Sequence, residues 1–378
     1  MVLKVTRITE FDDLLSLAPE WEKLDAGLHP RVPFTTPQWC LIWWKNFSRD
    51  TLYARDQLHA YAIRDADGRL VCVAPMFVCH RPGRGPVRTK ELQFFGADHN
   101  VTELRGPICK PEFLPEVVNL LTERIKLDNC SDWVQWRGLR ITDGEARWPS
   151  GIALDEAMQT TDYILPLAEN WDALRSRLPR NIKESLRKCY NALARDQHKF
   201  VIRVVERPED ISAALDTFFV LHQSRAGKTD TIRHGDVFGL EAARNLLIAY
   251  CQEMAQQGKV KIFQMIIEGR PIATRIGFAF GDELYLYYSG YDVEWQRYSV
   301  MTTVVAEAIQ WAIANRFRLV NLSTGTDVSK TRWRPEPIVF QGGIAIASDL
   351  KSRSSYYVVD RLRRAAANKG NRAAAETA

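Results

Sequence analysis

The chain has 378 residues, of which 46% are hydrophobic and 26% charged, with a net charge of +5 at pH 7. That balance is ordinary for a globular protein and excludes a mainly disordered chain, while the length favours two domains. So small a charge names no nucleic-acid partner by itself.

The N-terminal stretch MVLKVTRITEFDDLL has acidic residues where a signal peptide carries its apolar core. No apolar run approaches the roughly 20 residues of a membrane span, so the expectation is a cytoplasmic protein. LHAYAIRD (58–65), the turn at 66–69 and LVCVAPMFVC (70–79) read as a β-hairpin with a buried second strand, followed by a third strand, ELQFFG (91–96). EFLPEVVNLLTERIKLD (112–128) has a helical period, and WVQWRGL (133–139) is a further strand. Residues 141–162 lack periodicity and carry Gly and Pro, so the linker is placed at 146–161, after a first unit at 1–145.

The second unit, 162–350, opens with the strand DYILPL (162–167). A helix over 181–196 starts from an Asn-x-x-Glu capping box, FVIRVVE (200–206) is a strand, and 209–225 is a helix. The element order of the first unit then recurs as KVKIFQMIIE (259–268), IATRIGFAF (272–280), ELYLYYSG (283–290), a helix over 299–316 and the strand RLVNLS (318–323). Three meandering strands, a crossover helix and a closing strand make a mixed sheet, so the fold class is α+β with two tandem units of one kind. The C-terminal tail, 351–378, is basic, and its small polar residues predict disorder from about 365.

Several reactions are excluded by missing motifs. Ala226-Gly227-Lys228-Thr229 lacks the earlier glycine and the preceding strand of a phosphate loop, and there is no GxSxG, HExxH or CxxC. The seven cysteines are odd in number and several lie in apolar runs, which fits reduced, buried thiols, and no metal is expected.

YYSGYDVEWQRYSV (287–300) is the stretch most suggestive of a site, because a strand there feeds a helix start. The backbone N–H groups of that helix start, beside Arg297, suit a phosphate, which makes Arg297, Tyr298, Ser299, Val300, Met301 and Thr302 candidate cofactor-binding residues. An ordinary capping turn would look the same.

LPRNIKESLRKCYNAL (178–193), FFVLHQSRAGK (218–228), YYSGYDVEWQRYSVMTTVVAEAIQWAI (287–313) and NLSTGTDVSKTRW (321–333) together resemble the BioF2-like (CelD-type) acetyltransferase domain of the GNAT superfamily, itself related to the Fem peptidyl transferases. The resemblance covers about 165–335 and implies two tandem GNAT-like units, acetyl-CoA or another acyl-CoA as co-substrate, and an amine or hydroxyl acceptor on a sugar or cell-envelope polysaccharide precursor. Aligning Arg297 with the first position of the family's pyrophosphate loop puts Val300 and Thr302 where the family has small residues.

Acyl transfer needs a base for the acceptor and an acid for the leaving thiolate. Asp292 and His222 are candidate bases and Tyr291 or Tyr287 a candidate acid, with Tyr287 also placed on the substrate side. Lys330 matches a lysine that these families place near the acceptor or the donor phosphates. Arg180 and Arg225 complete the substrate-binding candidates, Arg180 belonging to a basic cluster over 175–195 that suits an anionic substrate, a membrane surface or tRNA. Two other functions stay open, a Fem-like transferase using aminoacyl-tRNA and a non-catalytic binding module.

Overall fold

The computed structural model describes residues 2–84, 88–140, 148–226 and 235–376, with side chains as far as 365. Their architecture is mixed α+β, with a four-stranded and an eleven-stranded sheet flanked by helices. In the second half, near-continuous apolar runs buried on both faces give the antiparallel strands Val260–Ile267, Arg270–Phe280 and Glu283–Tyr291. The turns between them place Gly269 and Gly281 at φ of 77° and 62°, a region glycine enters without a Cβ penalty. The helix Val300–Ala314 then crosses over, and Leu319–Thr324 returns parallel to Glu283–Tyr291.

The first half repeats this order with Ala60–Arg64, Leu70–Ala74, Met76–Arg81, Thr89–Phe94, the helix Leu114–Asp128 and the strand Trp133–Arg140. One expected strand, 70–79, is divided at Pro75, so that Leu70–Ala74 pairs in the small sheet and Met76–Arg81 in the large one. Proline has no N–H to give to a ladder, which makes it a natural place for the switch. In both halves the parallel pairing lasts three residues only: Glu91 to Gln93 against Trp133 to Gln135, and Glu283 to Tyr285 against Leu319 to Asn321. Beyond Tyr285 and Asn321 the two strands run on without pairing to each other, and a wedge opens.

Both halves build one sheet. Ala153–Pro166 pairs with Leu319–Thr324 on one edge and with Glu336–Ile346 on the other, and Glu336–Ile346 pairs with Trp133–Arg140. Residues 153–161, expected within the linker, are therefore strand; 141–147 lie outside the described residues. Most of Ala153–Pro166 is exposed or half-buried, so burial imposed no alternation that the sequence could display. A shared core adds to this continuity, with Trp39 of the first half edge-on to Tyr250 of the second at 4.9 Å. Buried Glu283 accepts from Arg31 N–H and from the Arg318 guanidinium, each at 2.6 Å, and lies 2.9 Å from His29 Nδ1.

Local differences from the sequence expectations have simple causes. The helix over the basic cluster is Arg180–Arg195, begun one residue earlier by Arg180 pairing with Glu184 at 2.6 Å, so the capping box does not form. A C-terminal helix, Leu350–Glu376, runs through the segment expected to be disordered from about 365, in keeping with the high helix propensity of its alanines. All seven cysteines are free thiols.

Candidate functional site

The wedge opens into a cleft of about 1200 Å³ lined by both halves. Its position follows from a β-bulge: Arg275 pairs with Ser289 but Gly277 with Leu286, so Tyr287 and Tyr288 together face Ile276. A bulge re-aims neighbouring side chains, and here both tyrosines reach the loop at 100–103 of the first half. Tyr288 donates to the Asn100 carbonyl at 2.7 Å, Tyr287 to the Val101 carbonyl, and Tyr285 to the Glu103 carboxylate. The loop is thereby fastened over the second half, with Glu103 set into the cleft.

Glu103 is the centre of the site's polar network. Ser323 donates to its Oε1 at 3.2 Å and in turn accepts from Lys330 Nζ at 3.1 Å, giving the chain Lys330, Ser323, Glu103, Tyr285. Ser323 holds φ of 70° on an irregular stretch of its strand, and its N–H is taken by Asn321 Oδ1. A buried non-glycine residue in the left-handed region is a costly conformation, of the sort found where a side chain must be aimed. Burial raises the Glu103 carboxyl above its ordinary value, against the positive charges of Lys330 and Arg275. The same burial lowers Lys330 and brings Arg275 down to about 10. Beneath lies Asp162, fully buried, accepting from Asn321 at 2.7 Å, its carboxyl pushed up to about 7 by burial.

Four cations line the cleft. Arg275 donates to the Leu286 carbonyl at 3.0 Å, Arg225 to Ser289 Oγ at 3.0 Å and Arg332 to Thr302 Oγ1 at 2.7 Å, while Lys330 lies 3.7 Å from Asp327. The Nε atoms of Arg275 and Arg332 are buried with no acceptor among the described residues. Glu103, Glu156 and Asp327 line it too, but the two buried guanidinium N–H groups left without an acceptor suit a ligand that carries phosphates.

Of the candidates read from sequence, Lys330, Arg225, Tyr287, Tyr291, Met301 and Thr302 line this cleft. Others do not. Asp292 caps the turn Val293–Tyr298, accepting from Glu294 N–H at 3.1 Å. His222 is buried, not on an exposed face: its Nδ1 is 3.1 Å from the Ser289 carbonyl, its ring packs between Phe218 and Tyr288, and burial lowers its pKa. Arg297 folds over the Tyr298 ring and donates to its hydroxyl at 2.6 Å, and that hydroxyl donates to Asp196 at 2.9 Å. Ser299 precedes the helix at φ of 51° without capping it by its side chain, and Val300 is buried in the core. Arg180 is 91% exposed and paired with Glu184. The Tyr287 hydroxyl is occupied donating a hydrogen bond to the Val101 carbonyl, and burial pushes its pKa well up, which makes it a poor acid.

Glu103, Arg275, Arg332 and Ser323 were missed. Glu103 lies in an aperiodic loop that gives no signal. Arg275 had one, as the lone charge in the apolar strand IATRIGFAF. Of the quoted stretch, Gly290 is explained by packing: a Cβ there would stand 2.4 Å from His222 N, so the helix Pro208–Ala226 needs glycine at this crossing. Lys228, with the Gly-Lys-Thr triplet, lies outside the described residues. Among the described residues there is no group of acidic, His and Cys side chains that could hold a metal ion, and no helix long and apolar enough to cross a membrane.

Residues 180–331 match the family model described as an acetyltransferase (GNAT) domain. No curated protein matches the sequence. Among solved structures, FemX aligns over 94% of this chain and 99% of its own, at 10% identity and a TM-score of 0.58. A C-terminal domain (DUF2156) assigned to lysylphosphatidylglycerol synthetase, from Agrobacterium fabrum, aligns over 93% and 97% at 10% identity and a TM-score of 0.50. Residues 180–331 thus match an acetyltransferase (GNAT) domain, in a chain that shares its overall fold with FemX.

Proposed function

We propose that the protein moves an acyl group, acetyl foremost, from acyl-CoA to an amine or hydroxyl of a sugar or cell-envelope polysaccharide precursor. The observation that carries this is the wedge between Glu283–Tyr291 and Leu319–Thr324, which opens beside the Glu103 carboxylate and the cations Arg225, Arg275, Lys330 and Arg332. In acyl transfer the acceptor must lose a proton as its lone pair forms the new bond to the acyl carbon and the carbon–sulfur bond breaks. Glu103, with its raised pKa and fixed orientation, is suited to take that proton, in place of Asp292 or His222. Ser323, itself held by Lys330, donates to the carboxylate and fixes its orientation.

The residues of the cleft fit the anionic part of acyl-CoA. Arg332, hydrogen-bonded to Thr302 at the start of Val300–Ala314, brings a guanidinium and a helix N-terminus to the cleft side, the role first read for Arg297. Free unpaired strand edges in the wedge can accept the amide groups of a pantetheine arm by adding to the sheet.

The fold shared with FemX over nearly the whole chain favours a second reading, an aminoacyl-tRNA-dependent transfer, with the basic face of Arg180–Arg195 against RNA. The test is release of free thiol from acetyl-CoA with a panel of amino sugars and sugar phosphates, beside tRNA binding at two salt concentrations. Turnover supports the CoA reading. No turnover and no thermal shift with CoA, together with tRNA binding that falls steeply with salt, would replace it by the second.

A further inference from the structure

Beside the cleft, and sharing Asn100, Thr102, Glu103 and Thr160 with it, lies a smaller pocket of about 150 Å³. It is lined by Arg105 and Arg137, both from the first half. Each of these arginines is followed by a glycine, and the two Arg-Gly pairs are pressed together backbone to backbone. A Cβ on Gly106 would stand 2.6 Å from the Arg137 carbonyl, and a Cβ on Gly138, whose φ is 68°, 2.6 Å from the Arg105 carbonyl. Only glycine permits that approach, and it brings Arg105 and Arg137 to the lining of one pocket.

Their hydrogen-bonding capacity is only partly used. Arg105 donates to the side-chain oxygen of Gln135 at 2.9 Å and Arg137 to the Met158 carbonyl at 3.0 Å, both neutral acceptors. Among the described residues neither makes an ion pair, and Arg105 Nη1 and Arg137 Nε are buried with no acceptor. Asp98 also lines the pocket, but its oxygens take Thr102 N–H at 3.0 Å, the Thr102 hydroxyl at 2.7 Å and Trp43 Nε1 at 2.8 Å. Burial, with the neighbouring charge of Arg137, brings Arg105 down to about 10 against the charges of Asp98 and Glu91. Carboxylates lie near each arginine, Asp98 and Glu91 about Arg105 and Asp155 about Arg137, but none accepts from the two buried N–H groups, which an added anion would satisfy.

We propose that Arg105 and Arg137 form an anion subsite that grips a phosphate or carboxylate group of the acceptor while its reacting amine or hydroxyl faces Glu103. The volume is well above the roughly 10–15 Å³ that one ordered water needs, and a guanidinium pair matches both anions in a bidentate way. As a statement about the acceptor, this inference rests on the acyltransferase reading; as a binding site it does not.

The test uses the full chain, with inorganic phosphate and glucuronate as probes in isothermal titration calorimetry. Wild type binds at least one saturably; Arg105→Gln and Arg137→Gln each weaken it about tenfold and the double variant about a hundredfold, while Arg137→Lys, which keeps the charge without the bidentate fork, loses less than Arg137→Gln. Stronger phosphate binding assigns a phosphorylated acceptor and stronger glucuronate binding a uronic acid. Unfolding curves and CoA affinity unchanged in the variants show that the loss is local. Saturable binding absent from wild type for both probes, or an equal affinity in the double variant, overturns the subsite. Probe binding that depends on both arginines, with no thiol released from acetyl-CoA with any acceptor, keeps the subsite and removes the reaction.

Discussion

Asp162→Asn tests the electrostatics beneath the site without touching a group assigned to the reaction. Asp162 is fully buried, one oxygen accepts from Asn321 at 2.7 Å, and the other has no hydrogen-bond partner among the described residues. Burial raises its carboxyl from 3.8 to about 7, with the Glu103 charge adding to the rise. Between those values the folded protein keeps a proton that the unfolded chain has lost. Stability from this group is therefore highest at low pH and falls as pH rises through the window from about 4 to about 7. At about 1.4 kcal/mol per pH unit, ionising it in place costs on the order of 4 kcal/mol above pH 7. Asparagine has the same shape, keeps the acceptor for Asn321 and never ionises. In urea unfolding the variant should exceed wild type by about 4 kcal/mol at pH 8, and by less than half of that at pH 5. Comparing the two proteins at one pH cancels the other titrating groups. A gap of equal size at both pH values, or a wild type more stable than the variant at pH 8, would refute the buried-acid account.

Glu103→Gln should lower the rate of thiol release by about 10²–10⁴-fold with CoA affinity nearly unchanged, and should remove the acid limb that wild type shows as its raised carboxyl protonates. Arg332→Gln should weaken CoA binding about tenfold in calorimetry, whereas Arg297→Ala, whose guanidinium lies on Tyr298, should leave it within about twofold; the reverse pattern returns the phosphate to Arg297. Gly290→Ala forces the helix Pro208–Ala226 off its strand and should cost about 1–3 kcal/mol in denaturant unfolding, and an unchanged midpoint would deny the close crossing. Trp39→Ala removes an indole packed between halves on Tyr250 and should cost about 3–5 kcal/mol in a single transition, while two separate transitions would show independent halves.

The second half was readable because its physics is local. Val260–Ile267, Arg270–Phe280 and Glu283–Tyr291 are near-continuous apolar runs, their turns carry glycines at positive φ, and Val300–Ala314 has an apolar helical run. What sequence could not show depends on contacts far along the chain. Glu103 meets Tyr285 and Ser323 across 182 and 220 positions, so no window contains both partners. Arg297 drew the phosphate role through its nearness in sequence to the helix start, yet Arg332 reaches Thr302 from 30 positions away. Asp292 and His222 have the right chemistry for a base, but one caps a turn and the other fills an aromatic cluster. The strand Ala153–Pro166 was hidden for the opposite reason, since a strand that buries little has no pattern to show.

The central claim is that the wedge between the two parallel strands receives acyl-CoA beside Glu103. A crystal structure of the full chain with CoA tests it most directly. The account predicts the pantetheine arm lying between Glu283–Tyr291 and Leu319–Thr324, its phosphates at Arg332 and the start of Val300–Ala314, and its sulfur in the cleft facing Glu103. CoA bound with its sulfur outside this cleft would contradict the account.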